Sequence, residues 1–312
     1  MTPRRKIIPV FIPHLGCPYS CVFCDQRGIS GASTPPSADE VRAIPRDADA
    51  ELAFYGGSFT AIPKKLQNAY LDAAAPNAIR VSTRPDCVDS ETVARLTSRG
   101  VRTIELGAQS MCPDVLELSG RGHGPEDTIR AARAVQEGGA SLILQMMTGL
   151  PGDTREKSIY TAQKLAELRP DGVRVYPTVV VRNTELCELW RRGEYREHTV
   201  DEAVELCAEL VGIFDAAKIP IIRLGLNPSD GLSAGDAVAG AYHPAFGELV
   251  YSRVWLDAAR EQLRDAKPGE AVTLTVPRGK MSVAVGQKRR NIELLTREFM
   301  LKSLRIVESV EI

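Results

Sequence analysis

Three cysteines crowd into eight residues near the start of the chain, in Gly16-Cys17-Pro-Tyr-Ser-Cys21-Val-Phe-Cys24-Asp25, a C-x3-C-x2-C spacing. Three thiolates on one short loop can converge on a soft-metal centre, because the loop can wrap the centre without distorting the element that anchors it. Three protein ligands leave one coordination position open, the mark of a centre that binds a further ligand. Seven cysteines in total, an odd number, make a disulfide framework improbable and a reduced compartment the expectation. The competing chemistry is a zinc site completed by His14, although structural zinc usually draws on two ligand pairs from separate turns.

Further polar groups follow apolar runs at regular intervals: Tyr55-Gly56-Gly57-Ser58, Ser82-Thr83-Arg84-Pro85-Asp86 and Glu105-Leu-Gly-Ala-Gln109-Ser110. Glycines let a backbone approach a ligand closely, though Gly-Gly on its own is more often a turn. The guanidinium of Arg84 is either a fork for a carboxylate ligand or half of a buried pair with Asp86 or Glu105. Cys87, Cys112, Tyr176 and His243 follow or end predicted elements and are candidates for the wall of a substrate chamber. Cys187 and Cys207 read as core, and His123 sits in a loop that can cover a site.

The elements that must position these groups alternate. Short apolar, β-branched runs at Ile7–Ile12, Glu51–Tyr55, Ala78–Ser82, Arg102–Leu106, Ser141–Met146 and Gly172–Tyr176 read as buried parallel strands. Between them, Ser37-Ala-Asp-Glu40 and Asp153-Thr-Arg-Glu156 look like capping boxes, Pro63 and Pro125 suit first turns, and Gly100 suits a helix stop. Strict β–α alternation predicts a parallel sheet with right-handed crossovers, curled or doubly wound, which periodicity cannot decide. A helix over 200–218 carries an apolar stripe of Val200, Val204, Cys207, Val211 and Phe214, with another apolar run at Ile219–Leu224. Beyond Leu224 the chain turns Gly- and Pro-rich, placing a domain boundary near 228. The remainder predicts a strand over Ala271–Val276, a helix near Asn291–Lys302 and a terminal strand around Arg305–Val310.

At 312 residues, 44% hydrophobic and 25% charged, the composition is that of a globular protein. Lys+Arg 39 against Asp+Glu 40 gives no bulk attraction to nucleic acid or membrane, so an RNA contact must be a local patch. Besides Arg4-Arg5-Lys6, the dense basic run is Lys288-Arg289-Arg290, by default a solvated face. No apolar run is long enough to span a membrane, and the apolar run after the basic N-terminus is too short for a signal sequence. A cytoplasmic home is the expectation.

The cysteine spacing, with Phe23 before the last cysteine, resembles the cluster motif of the radical S-adenosylmethionine (SAM) superfamily. The resemblance implies a 4Fe-4S cluster on Cys17, Cys21 and Cys24 whose open iron chelates SAM, and one-electron cleavage of SAM to a 5′-deoxyadenosyl radical. It implies SAM contacts from Phe23, Gly56, Gly57, Ser58, Ser82, Arg84 and Gln109, with Ser58 where the family more often has an acid. It also implies a low-potential electron donor of ferredoxin or flavodoxin type, and a partial (β/α)6 barrel over 1–228 with a small α/β extension over 229–312. Ser-Thr-Arg-Pro-Asp86, Glu-Leu-Gly-Ala-Gln-Ser110, Met-Thr-Gly-Leu-Pro-Gly152, Val-Tyr-Pro-Thr178, Ala241-Tyr-His-Pro-Ala-Phe246 and Ala284-Val-Gly-Gln-Lys-Arg-Arg-Asn291 closely resemble the radical domain of the Elongator catalytic subunit. That implies tRNA base modification, with Lys288, Arg289 and Arg290 as candidate RNA contacts. Only sixteen residues precede Cys17, so the expectation is a stand-alone relative without the acetyltransferase domain. Chemistry on a small molecule or tetrapyrrole, and a non-catalytic iron–sulfur protein, stay open as alternatives.

Overall fold

In a computed structural model, which describes residues 6–228 and 232–309, eleven strands form three sheets. Arg4, Arg5, the turn residues 229–231 and Val310, all drawn into the readings above, lie outside the described residues. The main sheet holds β1 (Ile7–Phe11), β2 (Glu51–Tyr55), β3 (Ala78–Thr83), β4 (Val101–Gln109), β5 (Ser141–Thr148), β6 (Gly172–Pro177) and β8 (Ile221–Leu224). All its pairings are parallel and the strands lie side by side in that order. A doubly wound sheet reverses strand order at a switch point. This sheet never reverses, so it curls in one sense into an open half-barrel. Its seventh strand comes from the apolar run that follows the long helix.

The helices pack on the outside. Leu52, Phe54, Ile79, Val81, Ile104, Leu106, Leu142, Leu144, Val173 and Val175 alternate along the strands and belong to one buried core. Phe54 meets Phe59 and Tyr70 there, with ring centroids 5.0 and 5.3 Å apart. Ser37 and Glu40 form the expected capping box at 2.7 and 3.2 Å. The second expected box starts one residue late: Thr154 caps Arg155–Glu167, because the Asp153 carboxylate is taken by Gly149 N–H and Ser158. The buried stripe of Val200–Ala216 is Ala203, Leu206, Cys207, Leu210, Val211 and Phe214. Val200 and Val204 are only half-buried, so the stripe is turned from the one read in the sequence.

β7 (Val179–Val181) and β9 (Ala237–Gly240) form an antiparallel ribbon, and β10 (Ala271–Val276) and β11 (Ser303–Glu308) a parallel pair. The helix Phe246–Gln262 has no counterpart in the sequence reading. Phe246 and Val250 pack into the barrel core while Leu256, Ala259 and Leu263 pack under β10 and β11. Its apolar positions serve two cores in succession and show no single stripe.

Candidate functional site

β1 runs directly into the cysteine loop. Ile12 N–H donates to Tyr55 O and His14 N–H to Gly56 O, both at 2.8 Å, so the exits of β1 and β2 stay paired beyond the sheet. The two loops then interlock. A Cβ on Gly57 would lie 2.4 Å from Leu15 O, and one on Gly16, whose φ is +77°, 2.4 Å from Ser58 O. The glycines are thus demanded by loop-on-loop packing, which sets the cysteine loop on top of the barrel. Ser58 is fully buried beneath that contact: its Oγ lies 3.0 Å from Thr83 Oγ1 and accepts Arg84 N–H at 3.3 Å. Its side chain does not line the cavity above.

Two of the three thiols have a dedicated donor. Arg121 Nη1 reaches Cys21 Sγ at 3.2 Å and Gln26 Nε2 reaches Cys24 Sγ at 3.3 Å. Burial pushes the Cys24 thiol up to about 12, and burial together with neighbouring Cys21 raises that of Cys17. Packing here is thus unfavourable to the Cys17 and Cys24 thiolates unless a cationic group shares the site. His14 Nε2 accepts Gln26 N–H at 3.0 Å, and among the described residues no three His, Cys, Asp or Glu side chains close on a single ion. A four-iron cluster spreads its thiolates over a larger body than one ion does.

Below the loop, at the carboxyl ends of the strands, lies a cavity of about 360 Å³. Cys17, Cys21, Phe23, Cys24, Gly56, Gly57, Ser82, Arg84 and Gln109 line it, so the expected cluster and SAM residues except Ser58 share one space. Gln109, with a φ of +64°, ends β4; its Oε1 is buried and accepts no hydrogen bond among the described residues. Arg121 Nε is likewise buried and idle. Unmatched buried groups facing soft thiols fit a polar ligand bearing donors and a carboxylate beside a cationic metal cluster. The Arg84 fork, by contrast, is already engaged: Nε and Nη2 each reach an Asp86 carboxylate oxygen at 3.0 Å. The buried-pair alternative weighed for Arg84 is therefore the arrangement present, with Asp86 as its partner.

Of the four chamber candidates, Tyr176 alone reaches the cavity wall. Cys112 is buried in a separate core with Val22, Phe23, Val115 and Leu186. Cys87 sits on a turn after β3, outside the cavity lining. His243 caps its own turn, Nδ1 accepting Ala245 N–H at 3.1 Å. His123 is buried against Ala108 O at 3.3 Å, and burial, helped by Arg121, lowers its pKa to about 4. His198 is half-buried, with its ring 3.0 Å from where a Gly149 Cβ would stand. Lys288, Arg289 and Arg290 lie on an exposed turn, Lys288 and Arg289 at φ +52° and +65°, away from the cavity lining. Asn291 pins that turn by donating to Ser252 Oγ at 2.9 Å and to Ala284 O at 3.1 Å.

The sequence reading missed the barrel floor. Glu105, fully buried, accepts from Arg80 Nη1 (2.7 Å), Arg174 Nε (2.9 Å), Gln145 Nε2 (2.9 Å) and Tyr55 OH (3.0 Å). Arg80 also pairs with Glu51 at 2.9 Å. Burial works to raise the Glu105 carboxyl, but the Arg174 and Arg80 guanidiniums overcome it and hold it below its ordinary range. The available signal was period two: these residues occupy every second position of β2 to β6.

The radical SAM superfamily model matches residues 11–165, and the Radical SAM C-terminal domain model residues 170–255. The chain belongs to the radical SAM superfamily, whose members carry a 4Fe-4S cluster and use SAM. Within it, the chain is 34% identical over 177 residues to a tRNA uridine(34) acetyltransferase of Methanocaldococcus jannaschii, covering 56% of this chain and 32% of that protein. It is 31% identical over 224 residues to an uncharacterised protein of the same organism, covering 64% and 69%. The chain thus spans about a third of the length of the acetyltransferase it matches. Among solved structures, an N-terminally deleted Elp3 of Methanocaldococcus infernus superposes with a TM-score of 0.62 at 24% identity, covering 82% of this chain and 62% of that one.

Proposed function

We propose that this radical SAM enzyme holds its 4Fe-4S cluster on Cys17, Cys21 and Cys24, and that its substrate is a tRNA base. The observation that carries the reading is the single cavity at the barrel mouth into which the cysteine loop, the Gly56-Gly57 loop and the ends of β3 and β4 all open. A 4Fe-4S cluster held on these three thiols would supply the low-potential electron for reductive cleavage of SAM, the source of the hydrogen-abstracting radical in this superfamily. The chain's own residues position these groups. Arg121 donates to Cys21, and Gln26 donates to Cys24 and favours its thiolate against the effect of burial. Ser82 and the idle Oε1 of Gln109 suit ribose hydroxyls or the amino group of SAM, and the backbone of Gly56 and Gly57 lines the same space. Arg84, held by Asp86, lines the same space as a charge-matched pair. Phe23 packs the loop against the core that contains Leu150 and Leu186, with Cys21 and Cys24 half-buried beside it.

The tRNA assignment draws on the matched acetyltransferases, and the exposed Lys288, Arg289 and Arg290 supply a basic patch for it. A ferredoxin- or flavodoxin-type reductant and a cytoplasmic home complete the proposal; among the described residues no helix is long and apolar enough to cross a membrane. The test is anaerobic reconstitution with iron and sulfide, then SAM and dithionite, with and without total tRNA, reading 5′-deoxyadenosine by chromatography. Formation of 5′-deoxyadenosine, raised by tRNA, is the expected result. Cys17→Ala, Cys21→Ala and Cys24→Ala should each abolish both the cluster absorbance and the product. A full cluster in any of them would refute the ligand assignment.

A further inference from the structure

The barrel floor carries a feature that the reading above does not use. Glu105 is held ionised between Arg174 and Arg80, and this fixes the orientation of Gln145. The Gln145 Nε2 donates to Glu105 Oε2 at 2.9 Å, and a flipped amide would set its oxygen against a carboxylate. Gln145 Oε1 is therefore an oriented acceptor, and no donor among the described residues meets it. Arg174 Nη1 lies 3.5 Å from Tyr176 OH, so that oxygen accepts at most weakly and the phenolic proton has no acceptor among the described residues. Gln145 faces Arg174 across β5 and β6, and Tyr176 stands two residues further along. Both side chains line the cavity.

The floor thus presents one fixed acceptor and one free donor. It offers no unspent charge, since Arg174 is matched by Glu105 and Arg80 by Glu51 and Glu105. A carboxylate-bearing substrate would find no unpaired cation among the floor residues that line the cavity. We propose that Gln145 and Tyr176 are the specificity-determining pair of this site, reading the adjacent N–H and C=O of an uncharged lactam edge such as that of uracil. In the orientation that uracil takes, cytosine and adenine present the inverse pattern, a ring-nitrogen acceptor beside an amino donor, and would set acceptor against acceptor and donor against donor. Val179 and Leu226 supply apolar wall for the ring faces. The inference rests on the reading that the substrate is an RNA base, and assigns the reading of that base to two residues.

The experiment is equilibrium binding with the reconstituted enzyme and SAM, without reductant. The probes are a fluorescent RNA hairpin with one loop uridine and the same hairpin with cytidine there, followed by anisotropy. Free uridine and cytidine, followed by saturation-transfer NMR, report base preference even where the RNA docks weakly. Wild type should prefer uridine in both formats. Gln145→Leu and Tyr176→Phe should each lower that preference about tenfold, the value of one hydrogen bond in a dry site. In wild type 3-methyluridine, which lacks the N–H, should bind as poorly as uridine binds to Gln145→Leu, and in that variant methylation should change nothing further. Equal binding of uridine and cytidine by wild type, or an unchanged preference in Tyr176→Phe with native melting temperature and cluster absorbance, would overturn the assignment. Failure of the proposed function itself reads differently, as absence of 5′-deoxyadenosine with tRNA present.

Discussion

The two faces of the main sheet are built from the same strands and obey opposite rules. Outward, Leu52, Phe54, Ile79, Val81, Ile104 and Leu106 meet the helices in an apolar core. Inward, Glu51, Arg80, Glu105 and Arg174 form a buried, charge-balanced network with Tyr55, Gln145 and Thr103. The outer face stabilises the fold by removing apolar surface from water, on the order of 1.5–3 kcal/mol per large side chain. On the inner face, desolvation offsets much of the ion-pair attraction, so the network adds little net stability while it holds side chains in one orientation. A half-barrel open along one side needs both: one face to hold its curl and another to define what enters.

The largest expected effects set the faces directly against each other. Phe54→Ala should cost about 3–5 kcal/mol in urea unfolding through its cavity. Glu105→Ala should cost a similar amount, about 3–5 kcal/mol, by stranding the Arg174 guanidinium and leaving Arg80 with Glu51 alone. The double change Glu105→Leu, Arg174→Met, which leaves Arg80 paired with Glu51, should recover most of that loss, whereas no second apolar truncation rescues Phe54→Ala. Failure of the double variant to recover would erase the distinction between the faces.

A smaller effect comes from pH. The folded chain holds His123 near pKa 4, below its ordinary 6.5, so the unfolded chain binds a proton that the folded one refuses between those values. Stability is therefore full above pH 6.5 and falls as pH drops, by about 2 kcal/mol between pH 7 and 5. His123→Gln should remove most of this slope in unfolding measured at both pH values. Ser58→Ala comes next, costing about 1 kcal/mol through its lost hydrogen bond to Thr83. A larger loss of SAM binding than of stability in that variant would show that Ser58 does more than brace the loops. Smallest in stability is the pair Lys288→Ala, Arg289→Ala on its exposed turn, within about 0.5 kcal/mol. If that turn touches RNA, the same variant should reduce the salt slope of tRNA binding by about 2.

Much of the outer face and the rim of the site was legible. Six of the seven strands of the main sheet are legible within a few residues, since β-branched apolar runs bounded by turns have few other uses, and the seventh shows only as an apolar run. The cysteine loop, Gly56-Gly57, Ser82, Arg84 and Gln109 were found as polar punctuation after those strands, and the structure gathers them around one cavity. The inner face is not legible because Arg80, Glu105, Gln145 and Arg174 are single polar positions within largely apolar runs, and their partners lie on other strands. Arg121 was missed because it lies in a loop between two helices, and only the fold brings it to Cys21, one hundred residues away. The helix Phe246–Gln262 escaped because its apolar residues divide between two cores.

By itself, then, the sequence determined the strand–helix alternation, the three-thiol loop and the polar groups at the strand ends. These are local properties, carried by spacing within a few residues. Only the tertiary structure decided that the sheet curls without reversing and that Gly16 and Gly57 serve loop packing. It alone turned Ser58 into the brace and engaged Arg84 with Asp86. It also matched four charges from four strands into a network that orients Gln145, because pairing buried charges requires groups that meet only when the strands lie side by side.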